Sequence, residues 1–185
     1  MISQSYWSYF LVLENDFFET TRFVEMDQRN NNTFSLEYTK LLLSVGSEID
    51  VICKELCKNI KPTASPNNIK EYMLIIKNKF PKISTTKVEI NRYNIESIPW
   101  HNWENDISPD WWKSYNKVKH NRIINYNEAN QKNVTESIAG LLVLLLYLYR
   151  FVNNDEHKNG TKLFDAPGMG ENIICRPSTL LPDFE

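Results

Sequence analysis

An all-α fold, an up-and-down bundle of about five helices, is predicted for this 185-residue chain by three observations. Apolar residues recur at helical spacing through most of it. Two Ser-Pro steps, Ser65-Pro66 and Ser108-Pro109, stand where helices start, a capping hydroxyl followed by proline at the first helical position. Residues 137–149, SIAGLLVLLLYLY, carry no charge at all. That run is shorter than the roughly 18–20 residues a membrane span needs. A helix apolar all round is instead read as the buried centre of a bundle.

The elements follow in order. Residues 6–26 keep Phe10, Leu13, Phe17 and Val24 on one face and predict a first helix, ended by the polar loop 28–33. From about Ser35 to Asn59 a second helix carries the stripe Tyr38, Leu42, Val45, Gly46, Ile49, Cys53 and Leu56. A short loop between the two predicts antiparallel packing. KPTASPNN breaks the pattern; NNIKEYMLIIKNKF is the third helix, and Pro81 ends it. Residues 85–100 lack a helical period. Val88 and Ile90 alternate with polar neighbours, which predicts an irregular excursion with one short hairpin. Ser108-Pro109-Asp110 opens a fourth helix, with an acid suited to the helix dipole. The fifth runs from about 128 to 152, where Ala139-Gly140 is expected to admit another backbone closely. Residues 153–185 form an extended tail with a short strand at 173–176. Its APGMG reads as a turn: it lacks the Gly-Lys-Ser/Thr ending of a phosphate loop.

One domain is expected over 1–185, with its core in 1–152. The composition is globular, 42% hydrophobic, with a net charge of -2 and a pI near 6.0. A surface coated in positive charge is excluded, so any contact with nucleic acid must come from a local patch. Three cysteines without a recognisable secretory leader predict free thiols and a cytoplasmic setting. Cys53 and Cys57 lie one helical turn apart in an apolar run and are read as core. Neither the three scattered histidines nor Asp165, Glu171 and Asp183 show metal-ligand spacing, so no metal or other cofactor is expected.

Residues 111–122, WWKSYNKVKHNR, hold the most chemistry. On a helix turning roughly 100° per residue, Trp111, Tyr115, Val118 and Arg122 share a face within about 60° and should meet the core. His120 projects to the other side. Lys113, Asn116 and Lys117 lie within about 60° of it on the same helix, so the imidazole centres a basic, polar face. Arg122, emerging near the apolar side, would need a carboxylate. Glu48 or Asp50, at the edges of the second helix's stripe, is expected to supply it as a structural ion pair. Trp100, Trp103, Trp111 and Trp112 could stack bases, but large aromatics mostly pack.

The early Glu-rich helix, the second helix SLEYTKLLLSVGSEIDVICKEL, and YNKVKHNR followed by a long apolar helix together resemble the HEPN superfamily over residues 1–152. The excursion at 81–107 and the tail look like additions. The resemblance implies a small bacterial helical bundle, often a homodimer, without a membrane anchor. Many members are metal-independent ribonucleases of toxin–antitoxin, phage-defence and CRISPR systems, which implies an RNA substrate and an antitoxin or defence partner protein. The family motif is an Arg, four to six residues, then a His, often with a polar residue after the Arg. His120 matches the histidine and Asn116 the polar residue. The Arg position is Tyr115 in the four-residue register, a departure, and Lys113 in the six-residue register. Carried over, His120 is the general acid or base, Asn116 and Lys113 complete the catalytic set, and Lys117 and Lys119 contact RNA. A dimer would bring two such sets around one cleft. The alternative implied is a HEPN-like module without catalysis that dimerises or binds RNA or nucleotides; a third reading is an unrelated helical interaction domain.

Overall fold

The computed structural model describes residues 2–153 and Phe164. Five helices make the body: α1 (Ser5–Thr20), α2 (Leu36–Ile60), α3 (Ile69–Lys79), α4 (Asp110–His120) and α5 (Gln131–Asn153). The expected hairpin is present as β1 (Val88–Ile90) and β2 (Ile95–Ser97), antiparallel, with Glu89 opposite Glu96. Short 3-10 turns fill the remainder of the excursion. The architecture is the predicted all-α bundle.

Helices α2 and α5 form its axis. α5 packs against α2, and α2 also meets α1, α3 and α4. Leu141 through Leu146 of α5 are buried on every side of the helix. By length and composition α5 could cross a membrane, but 78% of its most apolar stretch is buried inside the protein. Removing that surface from water is the main force holding the bundle, at about 25 cal/mol per Å². Cys53 and Cys57 are free and buried beside it.

Local chemistry sets the helix ends, and in three places it moves them from where the sequence put them. α1 stops at Thr20, not near residue 26. Thr20 and Thr21 turn their hydroxyls onto the carbonyls of Phe17 and Phe18, at 2.6 and 2.7 Å, and so compete for acceptors at the end of the helix. α3 begins three residues after Pro66. Asn68 Oδ1 accepts from the N–H groups of Lys70 and Glu71, while Glu71 accepts from Asn67 N–H at 2.7 Å. This reciprocal cap satisfies more donors than the Ser65 hydroxyl could. At α4 the residue flanking the first turn is Pro109, without a side-chain cap. Ser108 stands one position too far back to serve, and Asp110 meets the helix N-terminus instead. Ser35 caps α2 as expected, accepting from Tyr38 N–H at 3.1 Å.

The start of α5 is satisfied by a loop. Gln131 N–H donates to Thr33 O and Lys132 N–H to Asn31 O, filling orphan positions of a helix N-terminus. The Gln131 side chain donates to Glu25 O and Tyr38 Oη and accepts from Asp27 N–H, tying α5 to the 25–27 loop and to α2.

At Gly140 the close neighbours are indole rings and not a second backbone. A Cβ placed there would lie 3.1 Å from Trp111 and 3.5 Å from Trp100. Trp100 Nε1 also donates to Gly140 O at 3.1 Å. From the tail, Phe164 is buried against Phe17, and its N–H donates to Glu14 at 3.2 Å. The strand expected at 173–176, the APGMG turn, His157, Cys175, Asp165, Glu171 and Asp183 lie outside the described residues.

Candidate functional site

Helix α4 is locked in rotation by its buried face. Trp111 donates its indole N–H to Pro99 O at 2.8 Å and meets Trp100 edge-on. Tyr115, 3% exposed, lies flat against Gly46 of α2, and Val118 is buried beside it. With that face committed inward, the opposite one is fixed outward. Lys113, Asn116, Lys117 and His120 come together there and line one open groove of about 560 Å³. Trp112 and Ile69 supply its apolar lining; Ser108 and the amides Asn121 and Asn125 complete it. The four residues grouped by the helical-wheel argument are therefore neighbours in space.

The groove is less cationic than its sequence implies, because carboxylates arrive from outside the motif. Asp110 takes Lys113 at 2.8 Å. Glu128 takes Lys117 at 2.5 Å and accepts from the Ser114 hydroxyl at 2.6 Å. The hydrogen bond from Lys113 holds the Asp110 carboxyl below its ordinary range, and the bonds from Lys117 and Ser114 do the same for Glu128. His120 is the last residue of α4 and is exposed. Lys117, Lys119 and His120 all fall in the final turn, where positive charge also suits the helix dipole. Lys119 does not line the groove; its ammonium sits 5.4 Å from the centroid of the Tyr115 ring. Among the described residues, no group of three His, Cys, Asp or Glu side chains could hold a metal ion.

The expected ion pair of Arg122 with Glu48 or Asp50 does not form. α4 ends at His120, so Arg122 leaves the helical register that would have turned it inward, and it is exposed. Asp50 is committed elsewhere, to Lys54 at 2.5 Å and the Tyr72 hydroxyl at 2.8 Å. Glu48 is half-buried, and that burial pushes its carboxyl up. Among the described residues Arg122 makes no salt bridge. Trp100, Trp103 and Trp111 are buried and pack under the excursion; only Trp112 reaches the groove. Burial also pushes the thiols of Cys53 and Cys57 up, the second to about 12, so neither is a ready nucleophile.

Sequence reasoning missed Asn121, Asn125, Asp110 and Glu128 as parts of the site. The wheel could have placed Asp110 one turn before Lys113. Nothing local reveals Glu128, which reaches Lys117 only because the 121–130 segment folds back along α4. Asn125 makes that return: its side-chain amide donates to Lys117 O at 3.1 Å and Asn121 O at 2.9 Å, closing the end of the helix.

These features define an all-α bundle whose fourth helix offers an aromatic-lined groove with a histidine, two ion-paired lysines and several amides. No family model, curated protein or solved structure matches the chain.

Proposed function

We propose that the protein is a HEPN-like, metal-independent endoribonuclease with His120 as its general acid or base. The observation that carries this reading is that His120, Asn116, Lys113 and Lys117 line one open groove with Trp112. RNA self-cleavage needs a proton taken from the 2′-hydroxyl, whose oxygen then attacks phosphorus. It also needs a proton given to the departing 5′-oxygen. An exposed imidazole can take up a proton at one ring nitrogen or give one from the other, and so can serve either step. Negative charge growing on the phosphorane oxygens must meet a cation, and Lys113 takes that role here, with Lys117 beside it. Its bond to Asp110 must loosen for this. Arg122, exposed and without a salt bridge among the described residues, stands two residues beyond the histidine as a guanidinium able to grip phosphate in a fork. Lys119 adds to the positive rim.

The working unit we propose is a homodimer with two α4 grooves facing one cleft. Ile123 and Ile124, 90% and 74% exposed immediately past the groove, support a second copy docking there. The role in a cell is that of a cytoplasmic toxin or phage-defence effector held in check by a partner protein; the unpaired buried cysteines suit a reducing compartment. One observation favours a binding module without catalysis: both lysines are already neutralised by carboxylates.

The test is direct. Purified protein is incubated with a structured RNA pool in EDTA, beside His120→Ala. Cleavage by the parent, leaving cyclic phosphate ends and absent in the variant, is expected. RNA bound but not cut by either protein moves the reading to the binding module. Sedimentation of Ile123→Asp/Ile124→Asp should show a monomer where the parent is a dimer.

A further inference from the structure

We propose that the turn end of the α2–α3 hairpin is a second contact surface for the same RNA, a shoulder where Lys58, Lys61 and Lys70 hold phosphates of the strand that leaves the α4 groove. The inference rests on the ribonuclease reading of that groove and deepens it by placing the flanking nucleotides.

Positive charge is concentrated in one stretch of the chain. Residues 54–87 hold eight lysines and two glutamates, a balance of +6 in a chain of net charge -2, which leaves -8 for the rest. Both glutamates are occupied locally. Glu55 accepts from the Asn59 amide at 3.0 Å, and Glu71 accepts from Asn67 N–H and from the Asn68 amide, each at 2.7 Å. Lys54, Lys77 and Lys87 are ion-paired, with Asp50, with Asp106, and with Glu89 and Glu96. Lys58, Lys61, Lys70, Lys79 and Lys82 are exposed and make no salt bridge among the described residues.

Three of these five stand at one end of the hairpin. Lys58 is in the last turn of α2 and Lys61 caps it, while Lys70 is in the first turn of α3. The two helices lie side by side, with Cys57 Sγ 4.0 Å from Tyr72 O. This end meets the groove, because Ile69, immediately before Lys70, belongs to the groove lining. Lys58 suits the C-terminal end of its helix dipole. Lys70 does not: a cation in the first turn opposes the dipole, and no carboxylate among the described residues pairs with it. A phosphate bound beside it would supply the missing negative charge. Inside the groove Lys113 and Lys117 must exchange Asp110 and Glu128 for phosphate before they can act. Attraction for the strand therefore comes mainly from cations with no carboxylate to give up, and these gather on the shoulder. Lys113 meets the scissile phosphate in the groove, and the shoulder holds its neighbours along the chain.

The experiment is fluorescence anisotropy across a range of salt with labelled 2′-O-methyl RNA, which cannot be cleaved, as a trinucleotide and as a sixteen-nucleotide strand. Log affinity falls with log salt by roughly 0.7 for each phosphate neutralised on a single strand. Lys58→Gln/Lys61→Gln/Lys70→Gln should therefore lower the slope for the long strand by about 2, so that a fourfold rise in salt costs the parent about 20-fold more affinity than the variant. The trinucleotide, which fills the groove alone, should bind parent and variant alike. Arg22→Gln/Lys40→Gln/Lys87→Gln removes the same charge from side chains already spent on carboxylates and should leave the slope in place. An unchanged slope in the first variant, the same fall for the trinucleotide, or an equal fall in both variants overturns the shoulder and leaves the ribonuclease reading standing. Binding of neither RNA by the parent overturns both.

Discussion

Gly46→Ala is the most informative single substitution for the bundle, because two effects of known size oppose each other in it. Gly46 lies in the middle of α2, where helix propensity alone favours alanine by about 1 kcal/mol. Yet the Tyr115 ring rests on it: a Cβ at position 46 would fall 2.5 Å from Tyr115 Cε2 and 2.6 Å from Cγ. Carbon atoms pack at about 3.5–4.0 Å, so roughly 1 Å of overlap must be relieved. The ring has little room to move. It is 3% exposed, with Trp112 5.0 Å away centroid to centroid. Overlap with a held ring belongs at the upper end of overpacking costs, about 3 kcal/mol. The net loss is then about 2 kcal/mol, or about 4–8 °C in Tm for a chain of this length. Thermal and urea melts followed by circular dichroism measure it. In a Tyr115→Ala background the sign should reverse, because the ring is gone and only propensity remains. A Gly46→Ala protein that melts a few degrees above the parent would refute the claim that this contact sets the seat of α4.

Further outcomes follow from individual side chains. Gln131→Ala leaves Glu25 O, Tyr38 Oη and Asp27 N–H short of a partner and should cost about 2–3 kcal/mol in urea unfolding. Trp111→Phe should cost about 1–2 kcal/mol more than Trp103→Phe, since Trp111 donates to Pro99 O whereas the buried Trp103 Nε1 has no partner among the described residues. Equal losses in urea melts would contradict that. Burial pushes the Glu136 carboxyl up, against the smaller pull of Lys132 and His101. A carboxyl raised in this way binds more protons folded than unfolded, so its charge costs stability as pH rises from the ordinary value of 4.5 through the folded one. Glu136→Gln should therefore raise Tm at pH 8, and the gain should fade below pH 4.5; a gain that persists there would contradict the assignment to burial.

The bundle was legible in the sequence because its determinants are local or periodic. The α2 stripe and the charge-free run of α5 are patterns over many residues, and tertiary packing had no reason to override them. Helix ends were less legible. At Asn68 and at Thr20–Thr21 the outcome turned on competition between neighbouring side chains for the same few backbone groups. Within the site, His120, Lys113, Asn116 and Lys117 were brought together by the helix repeat alone, and the groove keeps all four. Arg122 failed for the same reason the others succeeded: helical angles were extended two residues past the point where the helix stops. Glu128 and Asn125 could not be seen, because they reach α4 through a chain reversal that has no periodic signature. Neither Ser-Pro step marked its helix start by residue, although both fell within a few residues of one.

The central claim, that RNA binds at the end of α4 beside His120, is tested most directly by following the imidazole signals in nitrogen-edited NMR while a 2′-O-methyl RNA is titrated in. His120, which lines the groove, should move saturably and by more than His101, which is bonded through Nδ1 to Ile98 O at 2.9 Å and does not line it. Movement of His101 with His120 unchanged, or no saturable movement of either, would contradict the account.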